Sequence, residues 1–272
     1  MSATPLKLYW WKDEPNFGDD LSREVVSFVS GREVSWAPKD AADMVALGSV
    51  LQGVRNRFKD GSPKGNRPVI WGTGLMFPVP KDFLPYVETR LVRGPLTATF
   101  LGLKHNQFGD PGLLAQEALG AQGERIDRIG IIPHMKHVDS PELAAVLAAE
   151  PALFLIDPRR SAREVVAEIA RCAHVISSSL HGLVVADSFG IPNTWLEPVA
   201  IHAMPKLKFY DYATGIERPL ACPVKLTDIP AWVTTLKDQT LSYQDGIEAS
   251  KASLLAAFPA SLRAQDLAAL DL

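Results

Sequence analysis

Between the apolar pair Val175-Ile176 and a helix-period segment running from Leu183 to Phe189 lies Ser177-Ser178-Ser179-Leu180-His181-Gly182. Free backbone N–H groups at a helix start, reinforced by the helix dipole, attract phosphate or carboxylate. Serine hydroxyls add donors, and His181 can hydrogen-bond an anion or pass a proton near neutral pH. The same residues could equally cap the helix and pack against a neighbour. A second cluster, His134-Met135-Lys136-His137, follows another strand. Strand alternation would send His134 and Lys136 to one side, towards a common ligand; the alternative is a solvated charged loop, the reading adopted for His137. No third acid or thiol accompanies this His-x-x-His spacing, so no metal site is expected.

Arg93 precedes Gly94-Pro95 at a strand end. Its guanidinium fork could grip a carboxylate or phosphate bidentately, or form a salt bridge to the neighbouring domain. Asn16 and Asp19 could bind sugar hydroxyls or cap the first helix. Asp110, in Gly109-Asp110-Pro111, reads as a turn residue bonding its own backbone. Gly72-Thr73-Gly74 is too short for a dinucleotide fingerprint, and neither a phosphate-loop motif nor a Gly-x-Ser-x-Gly elbow occurs. The basic run Arg55, Arg57, Lys59, Lys64 and Arg67 reads as a solvated loop that could also approach anionic lipid.

These segments need elements to hold them. Short apolar runs at Leu6–Trp11, Met44–Leu47, Val69–Trp71, Arg90–Val92, Arg128–Ile132, Leu153–Ile156, Val175–Ile176 and Asn193–Leu196 alternate with helix-period stretches. A helix starts near Asp19 and ends at Gly31. Ser161-Ala162-Arg163-Glu164 is a capping box, opening a helix with Cys172 on its apolar side. Such alternation predicts an α/β protein with parallel sheets, built as two Rossmann-like halves with an interdomain cleft. The 272 residues suit two domains. The polar stretch from Gly120 to Asp127 is the candidate linker, giving an N-terminal half over 1–122 and a C-terminal half over 123–272 with C-terminal helices. A net charge of −3 argues against a nucleic-acid coat protein. Two cysteines, Cys172 and Cys222, imply no disulfide framework. No leader-like start and no spanning apolar stretch is visible, so a cytoplasmic location is expected.

In order and spacing the segments together resemble the polysaccharide pyruvyl transferase family, in particular the ketal-forming enzymes of xanthan and succinoglycan biosynthesis. The resemblance runs over about residues 6 to 225 and rests on Asn16-Phe17-Gly18-Asp19-Asp20, Gly48-Ser49-Val50-Leu51, Trp71-Gly72-Thr73-Gly74, Arg93-Gly94-Pro95-Leu96-Thr97, Gly109-Asp110-Pro111-Gly112, Pro133-His134, Ser179-Leu180-His181-Gly182 and Lys208-Phe209-Tyr210-Asp211. It implies a glycosyltransferase-B-like fold, phosphoenolpyruvate as co-substrate without further cofactor, and a sugar of a lipid-linked oligosaccharide as acceptor. Membrane contact would then be peripheral, at the inner face.

The resemblance also implies that His181 binds or protonates the donor. The catalytic set expected on this basis is His181, Arg93 and His134. Ser177, Ser178, Ser179, Gly182, Lys136 and Lys208 are assigned to the donor, mainly against the second half. Asn16, Asp19, Asp20, Gly72, Thr73 and Gly74 are assigned to the acceptor on the first half. Many family members carry arginine where Ser179 stands, so the missing cation must come from Arg93, Lys136 or Lys208. Two rival readings are a nucleotide-sugar glycosyltransferase of the same architecture, with Glu197 on the sugar hydroxyls, and a non-catalytic carbohydrate-binding subunit.

Overall fold

A computed structural model describes residues 4–120, 123–199, 203–219, 222–236 and 239–264. The first half contains β1 (Leu6–Tyr9), α1 (Phe17–Ser30), β2 (Val34–Trp36), β3 (Met44–Val45), α2 (Leu51–Phe58), β4 (Val69–Trp71), β5 (Glu88–Leu91) and α3 (Pro95–Leu101). A short helix, α4 (Ala115–Leu119), precedes the second half: β6 (Ile129–Ile132), α5 (Pro141–Ala149), β7 (Leu153–Leu155), α6 (Ala162–Ile169), β8 (His174–Ser177), α7 (Leu180–Ser188) and β9 (Asn193–Trp195). Three helices follow: α8 (Leu207–Gly215), α9 (Ile229–Leu236) and α10 (Gln244–Ala257). Positions 121 and 122 of the expected linker, and 1–3 of the expected leaderless start, lie outside the described residues.

Every strand pairing is parallel, in the orders β2-β1-β3-β4-β5 and β7-β6-β8-β9. The chain is thus an α/β protein of two Rossmann-like units in a glycosyltransferase-B-like arrangement. Strands buried on both faces read as continuous apolar runs, as β4 and β6 do. The half-exposed β2 shows no such run and is missed for that reason. Asn16 caps α1, its carboxamide accepting from Gly18 N at 3.1 Å, and Gly31 closes the helix in the left-handed conformation. The capping box at Ser161 and Glu164 forms as expected.

The halves do not merely touch. Leu6, Phe17 and Leu21 share one buried apolar cluster with Ile132, Val165 and Val184. The start of α1 is tied to the second half: Phe17 N donates to Pro158 O at 2.9 Å, and Ala162 N donates to the Asp20 carboxylate at 3.1 Å. Helix α10 returns to the first sheet, where Trp71 Nε1 donates to Leu254 O at 3.0 Å. A continuous core of this kind resists large rigid-body opening, so any movement on ligand binding falls to loops.

The start of α3 and α8 approach each other closely across the halves. A Cβ on Gly94 would stand 1.8 Å from Asp211 O, although its backbone is extended and open to any residue. Glycine is needed there for room, because any side chain would collide with main chain. Gly94→Ala should therefore destabilise the protein by at least about 1–3 kcal/mol, the usual cost of overpacking. Urea unfolding would measure this, and an unchanged midpoint would mean the two helices are not packed this closely.

Candidate active site

In open parallel sheets ligands sit beyond the carboxyl ends of the strands, where the strand order reverses. That point lies between β1 and β3 in the first sheet and between β6 and β8 in the second. Residues following all four strands line one cavity of about 340 Å³: Trp11, Ser49, His134 and Ser179. Asn16 and Asp19 join them from α1, Lys136 from the turn after β6, His181 from α7 and Lys208 from α8. Donor- and acceptor-assigned residues from both halves thus meet in one place.

Other expected site residues stand behind the lining. Arg93 is fully buried and does the inter-half work that was its alternative reading. Its Nε donates to Asp211 Oδ2 at 3.0 Å, one terminal nitrogen to Ser49 Oγ at 2.7 Å and the other to Leu75 O at 3.0 Å. Asp211 is further held by Thr97, whose backbone N–H and hydroxyl donate at 2.8 and 2.7 Å. Gly72, Thr73 and Gly74 make the bed for this arrangement. Gly72 lies against Pro111, Thr73 Oγ1 donates to Gly48 O at 2.8 Å, and Gly74 faces the Arg93 guanidinium. Asp20 turns away to the first turn of α6.

The serines divide similarly. Ser177 Oγ donates to Ser179 O at 2.8 Å and accepts from Ser179 N at 3.0 Å, shaping the turn into α7. Ser178 Oγ accepts from His134 N at 2.8 Å and ties the ends of β6 and β8. Gly182 makes room for Ser177. Ser179 occupies the N-cap position without capping, so it and the first free N–H groups of α7 are left at the cavity edge. Strand alternation does not explain His134 and Lys136, since β6 stops at Ile132 and residues 135–137 form a 3₁₀ turn capped by the His134 ring. They reach the cavity by that turn instead.

Electrostatics single out four groups. Burial, then the charges of Lys208 and Arg93, push His181 down to about 3, so its ring is neutral at neutral pH. Its Nε2 lies 3.8 Å from Asp110 Oδ2, and neither atom has a hydrogen-bond partner. Burial raises Asp110 to about 6 against the pull of Arg93, while Asp110 Oδ1 accepts from Gly112 N at 3.0 Å in the expected turn. Burial raises Asp19 to about 7, opposed by Lys208. Lys208 is lowered to about 8 by burial and by Arg93, with Asp19 working the other way. Lys208 has no ion-pair partner among the described residues, whereas the Arg93 charge is matched by Asp211. Lys208, one turn before Asp211 on α8, is therefore an uncompensated cation beside His181; Lys39 and Lys136 line other parts of the cavity. Asp19 carries a proton near neutrality, a property that its place in Asn16-Phe17-Gly18-Asp19 does not advertise.

The remaining expectations fall elsewhere. Glu197 pairs with Lys206 at 3.6 Å and lines a separate hollow with Lys225 and Thr227. In the basic run, Arg55 pairs with Asp82 at 2.6 Å and Arg57 with Asp40, on a helix rather than a free loop. His137 is partly buried in the 3₁₀ turn. Among the described residues no three His, Cys, Asp or Glu side chains converge as a metal site, and no helix is long and apolar enough to cross a membrane.

Comparison with known proteins gives the family. The family model for polysaccharide pyruvyl transferases matches residues 10–198, which include every cavity-lining residue named above except Lys208. The chain is 30% identical over 230 residues to the succinoglycan biosynthesis protein ExoV of Rhizobium meliloti, covering 80% of this chain and 68% of that one. It is 31% identical over 170 residues to an uncharacterised protein of Acanthamoeba polyphaga mimivirus, covering 58% of each. A crystal structure of a functionally uncharacterised Klebsiella pneumoniae protein superposes with a TM-score of 0.49 at 12% identity, over 81% of this chain and 92% of that one.

Stability should separate the two charged residues of α8. Asp211→Asn leaves the buried Arg93 uncompensated and should cost about 3–5 kcal/mol. Lys208→Met removes a desolvated cation that no acid pairs, and should leave thermal stability unchanged or raised. Equal losses in both variants, read by thermal unfolding, would mean that Lys208 is a structural residue.

Proposed function

Since the chain belongs to the polysaccharide pyruvyl transferase family, we propose that it transfers the pyruvyl group of phosphoenolpyruvate to two hydroxyls of one hexose in a lipid-linked exopolysaccharide repeat unit, forming a cyclic ketal. The observation that carries this reading is the unpaired Lys208 beside His181 and the open start of α7, a cationic end to a cavity whose opposite wall carries Asn16, Ser49 and Gln52. Such a cavity suits a small dianion next to a neutral sugar. Phosphoenolpyruvate offers a phosphate and a carboxylate. Lys208, the N–H groups of α7 and Ser179 are donors gathered at one end of the cavity. Lys208 then supplies the charge that arginine would bring at position 179, while Lys136, exposed at the mouth, can steer the anion inward.

The chemistry balances on groups that face this cavity. A proton adds to the methylene carbon of phosphoenolpyruvate, leaving an oxocarbenium-like centre at the carbon bearing the phosphate. One sugar hydroxyl attacks that carbon and loses its proton; the carbon–oxygen bond to phosphate breaks, and phosphate departs with the bonding pair. The second hydroxyl adds, losing its proton, and closes the ketal. Asp19, protonated near neutrality, is the proton source for the methylene carbon. His181 starts neutral, and a bound dianion favours its charged form, so it can take a hydroxyl proton and hand it to the leaving phosphate. Asp110 faces its Nε2 and would stabilise the imidazolium as it forms. The oxyanion charge is met by Lys208 and the helix start. His134 borders the same end, and Asn16 and Ser49 are placed for sugar hydroxyls.

The reaction written this way uses phosphoenolpyruvate as co-substrate and calls for no further cofactor. A cytoplasmic enzyme fits a cytoplasmic donor, and the lipid-linked acceptor would draw it to the inner face of the membrane. The ion-paired basic helix α2 supplies less free charge for that contact than its sequence suggests.

Phosphate release from phosphoenolpyruvate, measured with an exopolysaccharide acceptor, should fall at least about a hundredfold in His181→Ala, the lower range for losing proton transfer. Asp19→Asn should lower kcat on a similar scale with the donor KM little changed, whereas Lys208→Met should raise the donor KM. In the wild type, activity should decline as pH rises through about 7 to 8, where Asp19 loses its proton and Lys208 its charge. Full turnover in a folded His181→Ala, or an activity flat across that range, would overturn these roles.

A further inference from the structure

The first half carries exposed aromatic surface that no step above uses. Trp11 and Phe77 are each 42% exposed, and both line the reaction cavity. Trp36, 37% exposed, lies 6.5 Å from Tyr9 between ring centroids, in an adjoining hollow of about 410 Å³. Tyr9, Trp11, Lys39 and Gly53 line both spaces, so the two form one trough that runs outward from the strand ends. Exposed aromatic groups gathered beside a cleft mark a ligand-binding surface more often than chance.

A polar observation points the same way. Gln52 Nε2 donates to Phe77 O at 3.1 Å, which sets the orientation of the carboxamide. Its Oε1 is buried and has no hydrogen-bond partner, on a residue that borders the cavity. An unmet buried acceptor costs about 1–3 kcal/mol, a deficit that a ligand hydroxyl would remove.

We propose that this trough is a subsite for the sugars next to the pyruvylated one, with Trp11 and Phe77 against pyranose faces and Gln52 Oε1 accepting from a sugar hydroxyl. A pyranose presents a face of C–H bonds, which suits the electron-rich face of an aromatic ring, and a rim of hydroxyls, which suits amides and carboxylates. Asp13 and Asn56 supply such groups along the outer hollow. A bilayer surface would also accept exposed tryptophans, but it would leave the Gln52 acceptor unmet. The cations nearby are engaged as well: Lys12 Nζ sits 3.7 Å over the Trp36 ring, and Arg57 pairs with Asp40. The trough therefore favours an oligosaccharide. This inference takes from the pyruvyl-transfer reading only which sugar reacts.

Water-soluble acceptors of one to four sugars, cut from the depyruvylated exopolysaccharide of the producing organism, test the subsite. Phosphate release gives KM for each length, and quenching of tryptophan fluorescence gives binding without turnover. The wild-type acceptor KM should fall about tenfold or more from one sugar to the longer chains, the worth of one well-buried aromatic contact. Trp11→Ala and Phe77→Ala should each flatten that length dependence, with Gln52→Met acting in the same direction. A length-independent KM in the wild type, or variants that preserve the wild-type ratio of KM values, would overturn the subsite. Variants that lose binding to anionic phospholipid vesicles while keeping that ratio would overturn it in favour of a membrane contact. Length-dependent binding with no phosphate release at any length would uphold the subsite and sink the pyruvyl-transfer reading instead.

Discussion

The site depends on one buried ion pair. Arg93 ends the segment after β5, Asp211 lies on α8, and their contact crosses between the halves with both side chains almost wholly out of water. Two desolvated charges are tolerated there because further groups share them: Ser49 and Leu75 accept from the guanidinium, and Thr97 donates twice to the carboxylate. Glycines at 74 and 94 provide the room, since a Cβ at either would enter Arg93 or Asp211. The pair pins the two halves together.

What that pin holds in place is Lys208. With Asp211 fixed, the residue one turn earlier on α8 is set at the cavity, where Asp19 is the acid that favours its charged form. The electrostatic pattern follows from burial. Desolvation raises Asp19 to about 7 and Asp110 to about 6 and lowers Lys208 to about 8 and His181 to about 3, so near neutrality His181 is neutral and Asp19 partly protonated while Lys208 keeps its charge. A dianion entering such a site is held by the Lys208 charge and favours the charged form of His181, coupling donor binding to the protonation that transfer needs. The orphaned pair of atoms on His181 and Asp110 belongs to the same logic, because their contact becomes favourable only when the ring is charged.

The architecture was legible because strands buried on both faces announce themselves. Apolar runs ending in glycine, serine or histidine mark the strand ends, and those ends mark the site. His134, Ser179, His181, Asn16 and Asp19 were found this way and do line one cavity. Residues such as Arg93, Thr73 and Ser178 sit at the same strand ends, but side-chain direction there is set by turns, which single-strand periodicity cannot describe. The half-exposed β2 has no apolar run to find. The role of α8 was least visible. Lys208 is separated from the other site residues by most of the second half, and its meaning comes from Arg93 occupying Asp211, a pairing 118 positions apart. Nor does the chain order reveal that α10 returns to the first sheet.

A crystal structure of the protein soaked with phosphoenolpyruvate tests the central claim most directly. The account predicts the phosphate or carboxylate within hydrogen-bond distance of Lys208 Nζ and the first N–H groups of α7, beside His181, with the Arg93–Asp211 pair unbroken. An anion bound to Arg93 with Asp211 displaced, or one lying beyond a side chain's reach of both Lys208 and His181, would contradict it.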